Sequence, residues 1–114
     1  MEIIKSKDNV FIKKVVSLVE NKRERTKNNT FVIEGIRFCR EAVLSDVKVH
    51  AVLMTEEFVL KHPSEAEEFS KVSNIVKLIS DAISKKISDT VNNQGVFFVC
   101  EMPKNPIELK GNKY

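Results

Sequence analysis

Apolar residues recur along this chain with two periods, one helical and one strand-like. From residue 9 to residue 21 they repeat at helical spacing, and lysines and other polar residues occupy the opposite side. This pattern predicts an amphipathic helix. Asn9 is its predicted N-cap, because a carboxamide oxygen can accept from the open backbone amides of a first turn. The helix is expected to dissolve at the basic cluster that follows.

Four short apolar runs have the length and composition of buried strands. They cover residues 31–34, 49–54, 75–79 and 96–100. The last run, Val96-Phe97-Phe98-Val99-Cys100, is apolar at every position, which predicts a central strand covered on both faces. Phe58, Phe69 and Phe97 are expected in the core.

Segments with helical spacing separate these strands. They lie at residues 36–45, 55–61, 64–71 and 80–88. Ser80 is the predicted cap of the last one. Pro63, which lacks a backbone donor, separates the second segment from the third. The alternation predicts an α/β fold, a three-layer α/β/α sandwich around a four-stranded sheet. Two prolines, a glycine and three lysines follow Met102, so we expect a domain over residues 1–102 and a linker over residues 103–114.

The composition is that of a globular protein, with 114 residues and a formal net charge of +3. No apolar run approaches the ~20 residues of a membrane span, and the first residues lack the pattern of a secretory signal, so a cytoplasmic location is expected. Cys39 and Cys100 each lie in an apolar segment, which predicts reduced core thiols. The two histidines and the absence of a CxxC spacing give a zinc site no support.

The sequence carries no recognisable catalytic motif. Its three glycines cannot form the glycine-rich phosphate loops, and no serine lies in a GxSxG turn. The carboxylates of Glu65, Glu67 and Glu68 are typical of a solvated helix face. We therefore assign no catalytic residue, no metal ligand and no cofactor to this chain.

A basic cluster, Lys22-Arg23-Glu24-Arg25-Thr26-Lys27, precedes the strand at residues 31–34. Arg23, Arg25 and Lys27 are candidate RNA contacts, because arginine binds phosphate through two parallel hydrogen bonds and stacks on unpaired bases. A solvated helix end, where cations complement the helix dipole, is the alternative. Lys13, on the polar face of the first helix, could extend the same basic edge or be an ordinary surface lysine.

A second set of candidates flanks the turn after that strand. Gly35 suits a positive φ or a close backbone approach, and Glu34 is expected to stabilise the start of the next helix. Arg37 is unfavourable there for the dipole, which indicates either an anionic partner or an ion pair with Glu41.

Gln94 and Gly95 precede the last strand. Gln94 carries a donor and an acceptor, so it is a candidate to read a base edge or a ribose hydroxyl. A turn whose amide bonds the backbone is an equal alternative. Together with Arg37, Gln94 is a candidate to join the basic cluster in one RNA-binding edge.

Several short segments follow one another along the chain. They are Asn9 with Ile12-Lys13, then Arg23, Arg25 and Lys27, then Phe31-Val32-Ile33-Glu34-Gly35-Ile36-Arg37 with Glu41-Ala42, then Ile87-Ser88-Asp89-Thr90, and finally Gln94-Gly95-Val96. In this order, these segments resemble the N-terminal substrate-binding domain of the SpoU, or TrmH-type, RNA ribose 2′-O-methyltransferases. Val10 stands where that family commonly has a proline.

The resemblance implies a mixed four-stranded sheet with an antiparallel last strand, similar to ribosomal proteins that bind kinked RNA. It also implies a full-length enzyme that methylates a ribose 2′-hydroxyl of rRNA or tRNA. Its methyl donor, S-adenosylmethionine, and its dimer interface would lie in a knotted SPOUT domain, whose motifs are missing here. The chain is then expected to be truncated before that domain, to bind RNA without a cofactor, and to be a monomer, whereas the full-length protein would be a homodimer.

Two other functions stay open at the level of sequence. One is a stand-alone protein that binds kinked RNA, and the other is a protein-interaction module whose basic cluster binds an acidic partner. The coding sequence after Tyr114 separates the enzyme from the stand-alone protein, and RNA and protein pull-downs with Arg23→Ala/Arg25→Ala separate RNA binding from protein binding.

Overall fold

Strands and helices alternate along the part of the chain that the computed structural model describes, residues 2–88, 90 and 92–102. Five strands and six helices occur in this part. They are β1 (Ile3–Ile4), α1 (Val10–Glu20), α2 (Lys22–Asn28), β2 (Thr30–Glu34), α3 (Ile36–Leu44), β3 (Val49–Thr55), α4 (Glu56–Lys61), α5 (Pro63–Ser70), β4 (Val76–Ile79), α6 (Asp81–Ile87) and β5 (Val96–Glu101).

The strands form one mixed sheet in the order β1-β4-β3-β5-β2. β1, β4 and β3 run parallel to one another, and β5 is antiparallel to both of its neighbours. The antiparallel last strand and its central position are therefore confirmed.

The predicted strand count of four is wrong, because β1 adds a fifth strand. β1 contains only Ile3 and Ile4, too few residues to show any period. It forms by pairing with Leu78 and Ile79 of β4, and the backbone amide of Ser80 donates to the Ile4 carbonyl oxygen at 2.9 Å.

Helices cover both faces of the sheet, so the three-layer arrangement is confirmed. Buried residues of α3, α4 and α5 pack on one face, and those of α1 and α6 pack on the other. β5 contributes to both cores, because successive side chains of a strand point to opposite faces. Phe98 meets Phe69 edge-on in the first core, with ring centroids 5.1 Å apart, and Phe97 is buried in the second.

Most helix ends fall where the sequence predicts them. Asn9 Oδ1 accepts from the Ile12 amide at 3.2 Å, and Ser80 Oγ accepts from the Ile83 amide at 3.2 Å. Pro63 is the first residue of α5 and separates it from α4. The expectation that the basic cluster is irregular is wrong, because residues 22–28 form the separate helix α2.

Both cysteines are free and buried, which confirms the predicted core thiols. Desolvation raises the pKa of the Cys100 thiol to about 12. Desolvation, with smaller effects of Cys100 and Glu34, also raises the pKa of Cys39. Both thiols therefore stay protonated near neutral pH, and neither is an activated nucleophile. Within the described ranges, no helix is long and apolar enough to cross a bilayer.

Replacing Phe98 with alanine tests the central position of β5. Phe98 is 0% exposed, so Phe98→Ala should lower the free energy of unfolding by about 3–5 kcal/mol through lost burial and a residual cavity. Urea denaturation followed by circular dichroism measures this change. Leu60→Ala is the control, because Leu60 is 80% exposed; unfolding midpoints that fall equally in both variants would contradict the placement of Phe98.

Candidate nucleic-acid interface

Polar contacts, rather than apolar packing, hold the basic helix α2 in place. None of its residues is buried. At its start, Asn21 Oδ1 accepts from the amides of Arg23 at 2.9 Å and Glu24 at 3.3 Å. At its end, Asn29 adopts the left-handed conformation with φ 55°, which asparagine tolerates better than most residues.

Arg25 ties α2 to the preceding helix. The last hydrogen bond within α1 runs from the Asn21 amide to the Ser17 carbonyl, because the chain turns away at Asn21. The next two carbonyls, of Leu18 and Val19, therefore lose their helical donors. Arg25 Nη1 donates to them at 2.8 and 2.9 Å.

The three predicted RNA contacts, Arg23, Arg25 and Lys27, therefore do not have the same surroundings. Arg25 is half-buried and bound to the end of α1, whereas Arg23 and Lys27 are exposed. Lys22, which the sequence argument did not single out, is exposed beside them. We use the term α2 cation face for the exposed set Lys22, Arg23 and Lys27. Arg25 holds the backbone that carries this face.

Lys13 is exposed near the start of α1, away from the α2 cation face. The helical rise places it about 10 Å along the axis from the end of α1. It lies on the polar side of α1, whose opposite side is buried against the sheet and α6.

The single edge expected from the sequence is divided between the two ends of β2. α2 precedes the strand, whereas Gly35 and Arg37 follow it, and the length of the strand puts roughly 15 Å between the two ends. Gln94 lies at the far end with Arg37. The structure thus brings Glu34, Gly35, Arg37 and Gln94 together and separates them from the α2 cation face.

The Gln94 carboxamide caps α3 from another part of the chain. Its Oε1 accepts from the Ile36 amide at 2.8 Å, and the neighbouring Gly35 amide donates to the Val96 carbonyl oxygen at 3.0 Å. Gly35 has φ +93°, and a Cβ there would lie 3.2 Å from Gln94 Oε1. A side chain at position 35 would therefore be strained and would crowd the cap.

Glu34 and Gly95 make structural contacts beside this cap. Glu34 Oε2 accepts from Ser88 Oγ at 2.9 Å, and Ser88 Oγ accepts from the Thr90 amide at 3.0 Å; Asp89 of the same motif lies outside the described residues. Gly95 has φ +81°, and an added Cβ would overlap Thr55 Oγ1. Glu34 therefore binds the Ser88 side chain, and Gly95 allows a close approach of the backbone to Thr55.

Arg37 is exposed on the first turn of α3. Among the described residues it has no ion-pair partner within 4.0 Å, so the alternative pair with Glu41 does not form. Arg40, one turn later, pairs with Glu65 at 3.3 Å. An open groove of about 540 Å³, which we call the α3 groove, is lined by Ile36, Arg37, Arg40, Glu41, Leu44 and Gln94.

Within the part of the chain that the structure describes, no three metal-binding side chains of the His, Cys, Asp or Glu type cluster together. The chemistry that the two surfaces offer is recognition by cations, amide donors and apolar contacts.

Replacing Arg25 tests its role in holding α2. Arg25→Met removes the donor to Leu18 and Val19, and a charged hydrogen-bond donor contributes about 1.5–3 kcal/mol. Amides of α2 should then exchange with solvent at least about tenfold faster, because local opening becomes easier. Hydrogen exchange followed by NMR on the isolated chain measures these rates.

Arg23→Met is the matched control, since both variants lose one guanidinium in the same helix and Arg23 is exposed. Equal exchange rates in the two variants would contradict an anchoring role for Arg25.

Known proteins resemble this chain in sequence and in fold. Residues 9–97 match the model of the MRM3-like substrate binding domain. The 23S rRNA (guanosine(2553)-2′-O)-methyltransferase RlmP of Bacillus subtilis is 34% identical over 89 residues, which are 78% of this chain and 34% of that protein. The chain thus spans about a third of this relative's length.

Solved structures share the fold. A crystal structure of an RNA 2′-O ribose methyltransferase superposes with a TM-score of 0.75 at 23% identity, covering 99% of this chain and 41% of that chain. The AdoMet-bound rRNA methyltransferase of Sinorhizobium meliloti gives a TM-score of 0.68 at 18% identity, covering 93% of this chain and 38% of that chain. The family match spans most of the described residues and includes α1, α2, the end of β2 and Gln94. The chain therefore belongs to the MRM3-like substrate binding domain family.

Proposed function

We propose that this chain is the RNA-recognition domain of an rRNA ribose 2′-O-methyltransferase and that it positions the RNA without taking part in the methyl transfer. The observation that carries the proposal is the family match over residues 9–97. The 23S rRNA methyltransferase activity named for the Bacillus subtilis relative supports rRNA as the substrate class. The exposed cations of α2 supply a physical means of binding it.

The α2 cation face suits the RNA backbone. Arg23 offers a planar pair of donors to phosphate, whereas Lys22 and Lys27 add point charges. Their side chains are exposed, so contact with phosphate needs little rearrangement of the fold. Arg25 contributes by fixing α2, whereas Lys13 is a separate positive charge about 10 Å from the end of α1.

We place RNA recognition in this domain and methyl transfer in another domain of a longer protein. The recognition domain comprises residues 1–102, and the predicted linker at 103–114 falls outside the described residues. S-adenosylmethionine would be held by a separate SPOUT domain, which would also form a homodimer, whereas this domain alone would be monomeric. The enzyme would act in the cytoplasm. We also propose that the fold of this domain is similar to that of ribosomal proteins that bind kinked RNA.

Salt dependence tests RNA binding by the α2 cation face. Neutralising three or four phosphates should give a log–log slope of affinity against salt of about −2 to −4. Arg23→Gln/Lys27→Gln should make this slope about 1.5 less steep, since two counterion-releasing contacts are lost. Fluorescence anisotropy with a labelled 23S rRNA transcript measures both quantities.

The matched control is Lys61→Gln/Lys71→Gln, which removes the same charge from α4 and from the end of α5, where the lysines pair with Glu57 and Glu67. An affinity that does not depend on salt, or equal losses in the two double variants, would count against this face as the RNA-binding surface.

The proposed division of labour also predicts that S-adenosylmethionine does not bind to this chain. Titration calorimetry should show no binding heat for the chain. The AdoMet-bound methyltransferase of Sinorhizobium meliloti provides a positive control. Stoichiometric binding to the chain would overturn the assignment of the methyl donor to another domain.

A further inference from the structure

We propose that the α3 groove binds unpaired nucleotides and is a second RNA-contacting surface, separate from the α2 cation face. This inference rests on the proposed function, because it takes RNA as the ligand. It adds a distinct site with a preference for unpaired nucleotides, and it assigns a role to Glu41 and Leu44.

Arg37 is an exposed cation that lines the groove. It carries a positive charge on the first turn of α3, where the helix dipole disfavours a cation. It is exposed and has no ion-pair partner among the described residues. A phosphate at the groove would compensate the charge, and the guanidinium plane would also offer a stacking surface to a base.

The carboxamide of Gln94 is held in one orientation by the fold. Oε1 accepts from the Ile36 amide at 2.8 Å, which fixes the amide plane. The Nε2 group makes no hydrogen bond to the described residues, and Gln94 is one of the residues that line the groove. An oriented pair of donors suits a base carbonyl or a ribose hydroxyl, which single-stranded RNA exposes.

The α3 groove also has an apolar part. Leu44 is 80% exposed at the end of α3, and Ile36 lines the other end. About 10 Å of helix separates Arg37 from Leu44, a length comparable to the rise of three stacked nucleotides. Apolar side chains cover the faces of unstacked bases, whereas the outside of a duplex presents no base faces.

Negative charge in the groove further favours bases over a duplex backbone. Glu41 lies among the lining residues, and Arg40 is partly neutralised by Glu65 at 3.3 Å. The groove therefore has much less excess positive charge than the α2 cation face. Glu41 can accept from a base amino group or a 2′-hydroxyl, which suits base and sugar recognition.

Two contact surfaces that lie beyond opposite ends of β2 would constrain one RNA more strongly than either surface alone. The α2 cation face would bind a backbone segment, and the α3 groove would hold nucleotides released from pairing. The orientation of the RNA relative to the sheet would then be fixed at two points.

NMR titration of the ¹⁵N-labelled chain tests the second surface. Short single-stranded RNA of mixed sequence should shift the Gln94 side-chain amide and the backbone amides of α3, whereas a fully paired RNA duplex should shift mainly α2. Single-stranded RNA that shifts α2 alone would overturn the α3 groove and leave the proposed function standing. No shifts with either RNA would overturn both.

A matched pair of leucine variants gives a second measurement. Leu44 and Leu60 are both 80% exposed, on α3 and α4 respectively, so replacing either with serine should leave the fold intact. Leu44→Ser should weaken binding of the single-stranded RNA about fivefold through lost apolar contact with a base, and Leu60→Ser should not change it. Equal affinities of the two variants would overturn the proposal.

Discussion

The pairing of β2 with β5 is the constraint on which both candidate surfaces depend. Five residue pairs join the two strands, from Thr30 with Glu101 to Glu34 with Phe97. β5 is buried from Val96 to Cys100, so its position is set by both cores and cannot shift without exposing apolar side chains. β2 is thereby held in one register. Because α2 and α3 join the two ends of β2, their positions are fixed as well.

The same pairing brings distant parts of the chain to the cap of α3. Gly35 donates to Val96 across the end of the ladder, and Gln94, just before β5, reaches Ile36. The cap depends on the register of β2 and β5 and on the positive φ of Gly35. The orientation of the Gln94 amide therefore depends on the fold as well as on the residue type.

Much of the fold could be predicted from the sequence, because local patterns specify most of its elements. The helical period with Asn9 at its start predicts α1, and the uniformly apolar run at residues 96–100 predicts a central strand. β1 could not be predicted, since two residues show no period and the strand exists only through its parallel partner. α2 has no apolar stripe and is bounded by the polar caps at Asn21 and Asn29, so the spacing of apolar residues does not predict it. The site was less predictable, because the acceptors of Arg25 and the partner of Gln94 depend on where the chain turns in three dimensions.

The absence of buried side chains in α2 has a consequence for how this domain can change over evolutionary time. Substitutions at Lys22, Arg23 or Lys27 leave both hydrophobic cores untouched, so these positions can change with little effect on folding. The polar anchors at Asn21, Arg25 and Asn29 are needed only to keep the helix in its place. A surface built in this way can change its charge through a few mutations while the scaffold stays the same.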